Sequence, residues 1–448
     1  MGRAGGNMGF YTFKQGIHPV YHKDLSSKEP IKRCPLSKKV VIPLSQHTGA
    51  PCKPLVEKKD KVERGQKIAD SDGFISAPVH SSITGIVKSI EKQPHPVLGS
   101  FEAVVIERDE SSEKKEWKKG ELDLNGITPD VIRKRVREAG IVGLGGAAFP
   151  TSVKLSPPEG KSIDTVILNG CECEPYLTAD HRVMLEHPDD CILGLKIIMK
   201  TVGARKGIVG MEVNKMDAYK LFIEKTKNDE NIEVKLMEVK YPEGAEKMLI
   251  KALLSREIPA GGLPLDVGVV VHNVGTAVAI VATLRDNKPL IERVVTVTGG
   301  GINKPGNFIV PIGTPFCDVI EAAGGMKDNA VKVIMGGPLM GIAQPNLDVP
   351  VVKGTSGILV LTSEETDIEE ETNCIRCARC VDHCPMNLLP TEFVKLVKGE
   401  VWEGLTRYHI MDCIECGSCA FTCPSKIPIV QYIKLGKLML RNIESKKG

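Results

Sequence analysis

Aromatic residues are scarce in this 448-residue chain, where Phe, Trp and Tyr together make up 4%. No apolar run reaches the ~18 residues a membrane-spanning helix needs, so any membrane role is expected to come through partner subunits. Charge of one sign is also missing. Lys and Arg number 59 against 56 Asp and Glu, a formal net charge of +3, which points to neither nucleic acid nor an anionic surface. Residues 1–10 lack the apolar stretch of a secretory signal, so a cytosolic chain is expected. The length suffices for about three domains with their own cores. Cysteine, by contrast, is plentiful. Eight of the 14 lie between Cys374 and Cys423, which fits a reducing compartment. The other six (Cys34, Cys52, Cys171, Cys173, Cys191 and Cys317) are scattered and read mostly as small buried hydrophobes.

The dense stretch holds Cys374, Cys377, Cys380 and Cys384-Pro385, then Cys413, Cys416, Cys419 and Cys423-Pro424. Both blocks match C-x2-C-x2-C-x3-C-P, the pattern of bacterial two-cluster ferredoxins. Three thiolates two residues apart can curl round one cubane, and the fourth, ahead of a helix-breaking Pro, swings across to the other. Cys374, Cys377, Cys380 and Cys423 are therefore assigned to one [4Fe–4S] cluster, and Cys413, Cys416, Cys419 and Cys384 to a second. Disulfides would need an oxidising compartment, and zinc sites usually pair two C-x-x-C knuckles without a third Cys at this interval. The 28 residues between Cys384 and Cys413 read as mostly helical (389–397 and 402–408), the larger ferredoxin type.

Upstream, residues 38–107 read as short strands punctuated by Gly and Pro. Their segments 62–68 and 76–87 resemble the facing hairpins of biotinyl and lipoyl carrier domains, a barrel-sandwich hybrid. Val79 and His80 stand where a carrier presents its modifiable Lys, so a docking module is expected, with His80 a surface or turn residue. Residues 108–126 are charged and suit a linker. Thr128 as N-cap, Pro129 at N1 and Gly140 at C′ frame a helix. It leads into the run from Gly143 to Lys154, whose glycines let N–H groups approach an anion; alone, this reads equally as a phosphate nest or a plain turn. Strands then alternate with helices (162–168, 191–202, 206–213, 216–226, 232–239, 267–271), which argues for a mainly parallel sheet. The polar clusters at 169–174, 241–246 and 272–276 each follow a strand and should converge on one crevice. Cys171 and Cys173 form a C-x-C but have no nearby His or third Cys, and read as loop residues. The acidic run 364–371 reads as a solvated helix N-terminus, and 429–443 as a basic amphipathic helix.

The loop 143–154, Asn169-Gly170-x-Glu172-x-Glu174-Pro175, Tyr241-x-x-Gly244-x-Glu246 and Asn273-Val274-x-Thr276 resemble the FMN- and NADH-binding signatures of the complex I flavoprotein. They resemble more closely those of its relative, the C-subunit family of the Rnf complex, a membrane-bound ferredoxin:NAD oxidoreductase. The resemblance implies a multidomain α/β protein: a barrel-sandwich hybrid (1–110), a Rossmann-like FMN/NADH-binding α/β domain (127–288), a β-grasp domain of SLBB type with connector (289–362) and an α-helical two-cluster ferredoxin domain (363–448). It implies that Gly143, Gly145, Gly146, Ala147 and Lys154 cradle FMN, and that Asn169, Glu172, Tyr241, Gly244, Asn273 and Thr276 line it. Phe149, Glu174 and Glu246 would face NADH, with the two glutamates orienting the substrate and tuning the flavin. Leu144 departs from the complex I pattern, standing where an Arg is usual; so do Ala148, Ala245 and His272.

The implied function is hydride exchange between NAD(H) and FMN, coupled to one-electron transfer through both clusters on a flexibly attached C-terminal domain, because a flavin joins a two-electron donor to one-electron carriers. The implied partners are membrane proteins of the same complex that couple electron flow to Na⁺ or H⁺ transport, with ferredoxin reached indirectly, and the implied place is the cytoplasmic face of the inner membrane. Two other readings compete: a microcompartment cobalamin reductase, against which residues 38–107 tell, and a cluster scaffold with a vestigial flavin site, supported by Leu144.

Overall fold

The computed structural model describes residues 10–112, 116–366 and 370–445. Outside it lie most of the leader read for a signal, part of the charged linker (113–115) and the middle of the acidic run (367–369).

The α/β unit is built on four parallel strands in the order Ile232–Met237, Lys206–Glu212, Thr165–Gly170, Val269–Asn273. The chain moves to one side of Thr165–Gly170 for two strands and then returns to its other side. That reversal makes a switch point, where a crevice opens beyond the carboxyl ends of the strands. Asn169 and Asn273 are register partners there. The inner strands are mostly apolar, as burial on both faces requires, while the outer strand Ile232–Met237 carries Glu233 and Lys235. One side packs Val166, Leu168 and Val209 against Leu195, Ile198 and Ala277; the other packs Ile167, Ile208 and Val269 against Leu249 and Leu253. The helix Pro129–Glu138 starts as its sequence dictates. Thr128 accepts the N–H of Val131 at 3.4 Å, Pro129 takes the first turn, and Gly140 leaves it at φ +66.

A six-stranded sheet forms the β-grasp unit, in the order Ile31–Arg33, Gly306–Pro311, Glu292–Thr298, Gly357–Thr362, Ala330–Met335, Ile342–Ala343. Its first strand comes from the N-terminal segment and runs parallel to Gly306–Pro311. The same segment crosses the α/β unit, with Tyr11 bridging Met237 and Ile17 bridging Tyr241. The barrel-sandwich sheets begin only at Lys39 and pair Lys39–Pro43, Gly99–Arg108, Gly85–His95 and Lys61–Val62 in one layer, Lys53–Pro54, Lys67–Asp70 and Val79–His80 in the other. Gly299-Gly300-Gly301, after the strand Glu292–Thr298, forms a turn. A Cβ on Gly299, at φ +107, would stand 2.1 Å from the carbonyl of Val360, so glycine is required.

Three expectations change. His80 is not a surface residue; it is buried near Gly140 and Lys353, and burial lowers its pKa to about 3. Lys353 reaches across this junction, donating Nζ to the carbonyls of Pro78 and Gly140 at 2.7 Å each. The acidic run starts no helix among the described residues; its Glu365 accepts the N–H groups of Gly300 and Thr362 and closes the glycine turn. The ferredoxin unit, expected to be flexibly attached, is docked. Gly16 N–H donates to the His383 carbonyl and Gly261 N–H to Asp412 Oδ1. Its core is Phe393, Leu405, Ile410 and Ile433. Among the described residues, no helix is long and apolar enough to cross a membrane.

Candidate functional site

The glycine-rich loop sits over the switch point. Its base is closed by the N–H of Gly143 donating to the Phe149 carbonyl at 2.9 Å, beside a bridge between Val142 and Pro150. Gly145, Gly146 and Ala147 are exposed, Gly146 has φ +103, and among the described residues no acceptor takes their N–H groups. Open, unsatisfied N–H groups on a left-handed turn are the ingredients of an anion nest. Leu144 turns inward and is buried; its N–H donates to Thr276 Oγ1 at 2.9 Å.

The strand ends supply the crevice. Asn273 caps the helix Val274–Asp286, accepting the N–H of Gly275 at 2.8 Å while its amide donates to Asp180 Oδ2 at 2.6 Å. Burial, then the charge of Glu172, raises the pKa of Asp180. Asn169 donates to the Gly244 carbonyl at 2.9 Å and accepts the N–H of Cys171. Gly244 lies against the preceding loop so closely that a Cβ there would be 2.3 Å from the Cys171 carbonyl. His272 is buried with Nε2 unpartnered, and burial lowers its pKa to about 3, so the ring is neutral. Lys154 donates to Glu246 Oε1 at 2.7 Å and to the Val271 carbonyl at 3.1 Å. The structure thus brings together Gly145, Gly146, Lys154, Asn169, Gly244, Glu246, Asn273 and Thr276.

Two of the expected acids have other partners. Glu172 accepts the N–H groups of Asp180 and His181 at 3.0 and 3.3 Å, at the start of the helix Ala179–Glu186. Glu174 accepts the N–H groups of Leu339 and Met340 and lies 3.3 Å from the Tyr241 hydroxyl, at the junction with the β-grasp unit; burial raises its pKa. Tyr241 is fully buried and donates its hydroxyl to the Cys416 carbonyl at 2.7 Å.

The cysteines are arranged as two interleaved sets. Cys384, Cys413, Cys416 and Cys419 line one small cavity with Phe393 and Ile433. The thiol of Cys380 lies within electrostatic reach of Cys423, Cys374 and Cys377. Equivalent positions of the two motifs are left-handed, Arg376 and Ala378 in the first, Glu415 and Gly417 in the second. Backbone N–H groups near such turns point at sulfur: Glu415 donates to Cys413 Sγ, and Leu388, after left-handed Asn387, donates to Cys384 Sγ, at 3.4 Å each. Among the described residues no His, Cys, Asp or Glu side chains close round a single ion. Thiols spread about a cavity suit a body of several atoms instead, and the donor set fits a cubane. One set reaches the surface at Cys374 and Cys377; the other is buried beside the crevice at Cys384, Cys416 and Cys419.

Sequence reasoning missed Lys23, whose buried Nζ donates to the carbonyls of Glu172, Glu174 and Leu177 at 2.6 to 2.9 Å and so shapes the loop after the central strand. It also missed Asp180 and Arg293. No local motif marks any of them; each is brought in by tertiary pairing. A cavity of about 690 Å³ lies where the α/β and β-grasp units meet, and from the crevice segments it takes Leu144 and Gly275.

Family models match along most of the chain: an RnfC barrel sandwich hybrid domain over residues 11–111, a Nuo51 FMN-binding domain over 136–282, an SLBB domain over 294–343 and a 4Fe-4S dicluster domain over 373–427. The chain is 48% identical to the C subunit of the proton-translocating ferredoxin:NAD(+) oxidoreductase complex of Clostridium ljungdahlii, over 90% of this chain and 88% of the relative. It is 45% identical to the C subunit of the Na(+)-translocating complex of Acetobacterium woodii, over 90% of each. It is 38% identical to the C subunit of an ion-translocating oxidoreductase complex of Rhodobacter capsulatus, over 90% of this chain and 78% of that one. Among solved structures, an NAD⁺-reducing [NiFe]-hydrogenase aligns with a TM-score of 0.49 at 19% identity, over 70% of this chain and 62% of that one.

Proposed function

The chain belongs to the C-subunit family of ion-translocating ferredoxin:NAD⁺ oxidoreductase complexes, and from that premise we propose how its crevice and cysteines work. The protein exchanges hydride between NAD(H) and FMN and passes single electrons through two [4Fe–4S] clusters, to or from the other proteins of the complex. FMN, when bound, takes or gives two electrons as hydride and one at a time to a cluster.

This chain's own residues supply position and charge. The open N–H groups of Gly145, Gly146 and Ala147 would hold the FMN phosphate, and Asn169, Gly244, Asn273 and Thr276 would line the crevice over the switch point. Lys154 and Glu246 form a couple at its rim; Glu246 would orient the dinucleotide, and Phe149 would flank it. Glu174 would act indirectly, by holding Tyr241 and the 339–340 backbone in place. The chain divides functionally into units 1–110, 127–288, 289–362 and 363–448, with residues 10–33 strapped across the second and third.

The contact that carries the reading is Tyr241 to Cys416, one side chain joining the flavin-binding crevice to the ligand loop of the buried cluster. On this reading the Cys384/413/416/419 cluster would lie next to the flavin and the Cys374 cluster would face outward. The protein would sit peripherally on the cytoplasmic side of the membrane. Anaerobic iron, sulfide and flavin analysis of the full chain tests this: about eight irons and one FMN, flavin bleaching on NADH addition and then cluster reduction are expected. A protein that keeps both clusters but no FMN would instead be a cluster scaffold.

A further inference from the structure

The loop that would hold the phosphate lacks a cation of its own. Leu144 stands where the complex I pattern carries Arg, and Lys154 is matched by Glu246 at 2.7 Å. A guanidinium nevertheless lies against the loop, and it comes from another domain. Arg293, on the β-grasp strand Glu292–Thr298, donates Nη2 to the carbonyl of Leu144 at 3.1 Å and Nη1 to the carbonyl of Lys353. It is 6% exposed, and among the described residues no carboxylate stands within ion-pair reach of it; Asp180 acts on it only through space.

We infer that Arg293 is a positioning residue for the FMN phosphate, supplying across the domain junction the fixed positive charge that Leu144 withholds. The inference rests on the reading of the loop as the flavin-phosphate site.

The coupling runs through one peptide plane. In a trans peptide the carbonyl and the next N–H point opposite ways. With the Leu144 carbonyl held by Arg293, the N–H of Gly145 points away from the guanidinium, and it belongs to the exposed, unsatisfied set. The Leu144 N–H is already fixed on Thr276, so the residue is clamped on both sides. A charge-assisted bond to a carbonyl polarises its peptide and strengthens the opposite N–H as a donor. A buried cation without a paired counter-charge is costly, and a phosphate dianion on the far side of that plane would offset the cost. Lys353, whose carbonyl shares the guanidinium, ties the same point to the barrel-sandwich unit.

The test compares FMN with riboflavin, which lacks the phosphate, by titrating each into the deflavinated full-length protein with intact clusters and following flavin fluorescence. The wild type should prefer FMN. Arg293→Met should cut the FMN-over-riboflavin ratio at least tenfold, mainly by weakening FMN, while Arg293→Lys keeps the ratio within threefold. Should Arg293→Met not accumulate folded, with cluster iron as the check, Arg293→Gln makes the same comparison, because it still donates to a carbonyl without charge. Equal weakening of both flavins, or an unchanged ratio in the neutral variants, would overturn the inference and mark Arg293 as a packing residue. Failure of the wild type to bind FMN refutes the flavin reading itself, before any variant is made.

Discussion

Single positions in the crevice carry most of the testable chemistry. Gly244 has no room for a side chain, since a Cβ would meet the Cys171 carbonyl at 2.3 Å and Cys173 Sγ at 3.2 Å. Gly244→Ala should cost about 1–3 kcal/mol in a urea melt and release flavin. Glu243, one residue earlier, is buried with both carboxylate oxygens unpartnered; burial, then the charge of Glu212, raises its pKa to about 9. Between its unfolded value near 4.5 and 9 the native state holds a proton that the unfolded chain has lost, so stability falls as pH rises through that window. Glu243→Gln removes the slope. Its midpoint should gain on the wild type between pH 5 and 8, by up to about 1.4 kcal/mol per pH unit; an equal gain at both pH values would disprove the assignment. The residues legible beforehand were those whose type is dictated locally. Gly145 and Gly146 serve an open turn, and Asn273 caps a helix. Glu172 and Glu174 follow the same strand as Asn169, but their bonds to backbone N–H groups depend on where the chain turns next, which sequence pattern does not encode.

Elements show the same division. The helix Met216–Thr226 has the bounds its period predicts, and the helices Pro390–Lys398 and Trp402–Arg407 lie within a residue of theirs. The helix Val274–Asp286 was not legible, because it is buried on nearly every side and its run of Val, Ala and Ile has no polar face to set a period. Ala179–Glu186 has no side-chain N-cap and takes its support from Glu172 instead. The two cysteine motifs were legible as a 4Fe-4S dicluster pattern, since their spacing is the chemistry. Their unequal exposure makes a prediction at this scale. Cys374→Ala and Cys416→Ala should each lose one cubane, seen as a halved iron count, while NADH-driven reduction of a small dye stays within about threefold of wild type. A Cys374→Ala protein inert with the dye would mean that hydride exchange needs the outer cluster. A chelator should strip the cluster of exposed Cys374 and Cys377 before that of buried Cys416 and Cys419, followed by loss of visible absorbance in two phases.

At the scale of the whole molecule, Tyr241 and Gly261 tie the ferredoxin unit to the α/β unit, and the bond of Tyr241 ends on the cysteine-loop residue Cys416. Tyr241→Phe removes a hydroxyl and little volume. Flavin reduction by NADH should survive, while reduction of the clusters slows by roughly tenfold in stopped-flow traces, the scale of about 1.4 kcal/mol. Equal slowing of both steps would place Tyr241 in hydride exchange instead. Lys437 stands by the same cluster, donating to the Cys413 carbonyl at 2.6 Å and to Glu415 at 2.7 Å. The strand Ile31–Arg33 pairs in parallel with residues 307–309, which are made far later in the chain. On a ribosome adding ~5–20 residues per second, the early strand is made roughly 14–55 s before its neighbour. For that interval it is an orphan edge, and that side of the β-grasp sheet can close only once the partner strand has been made.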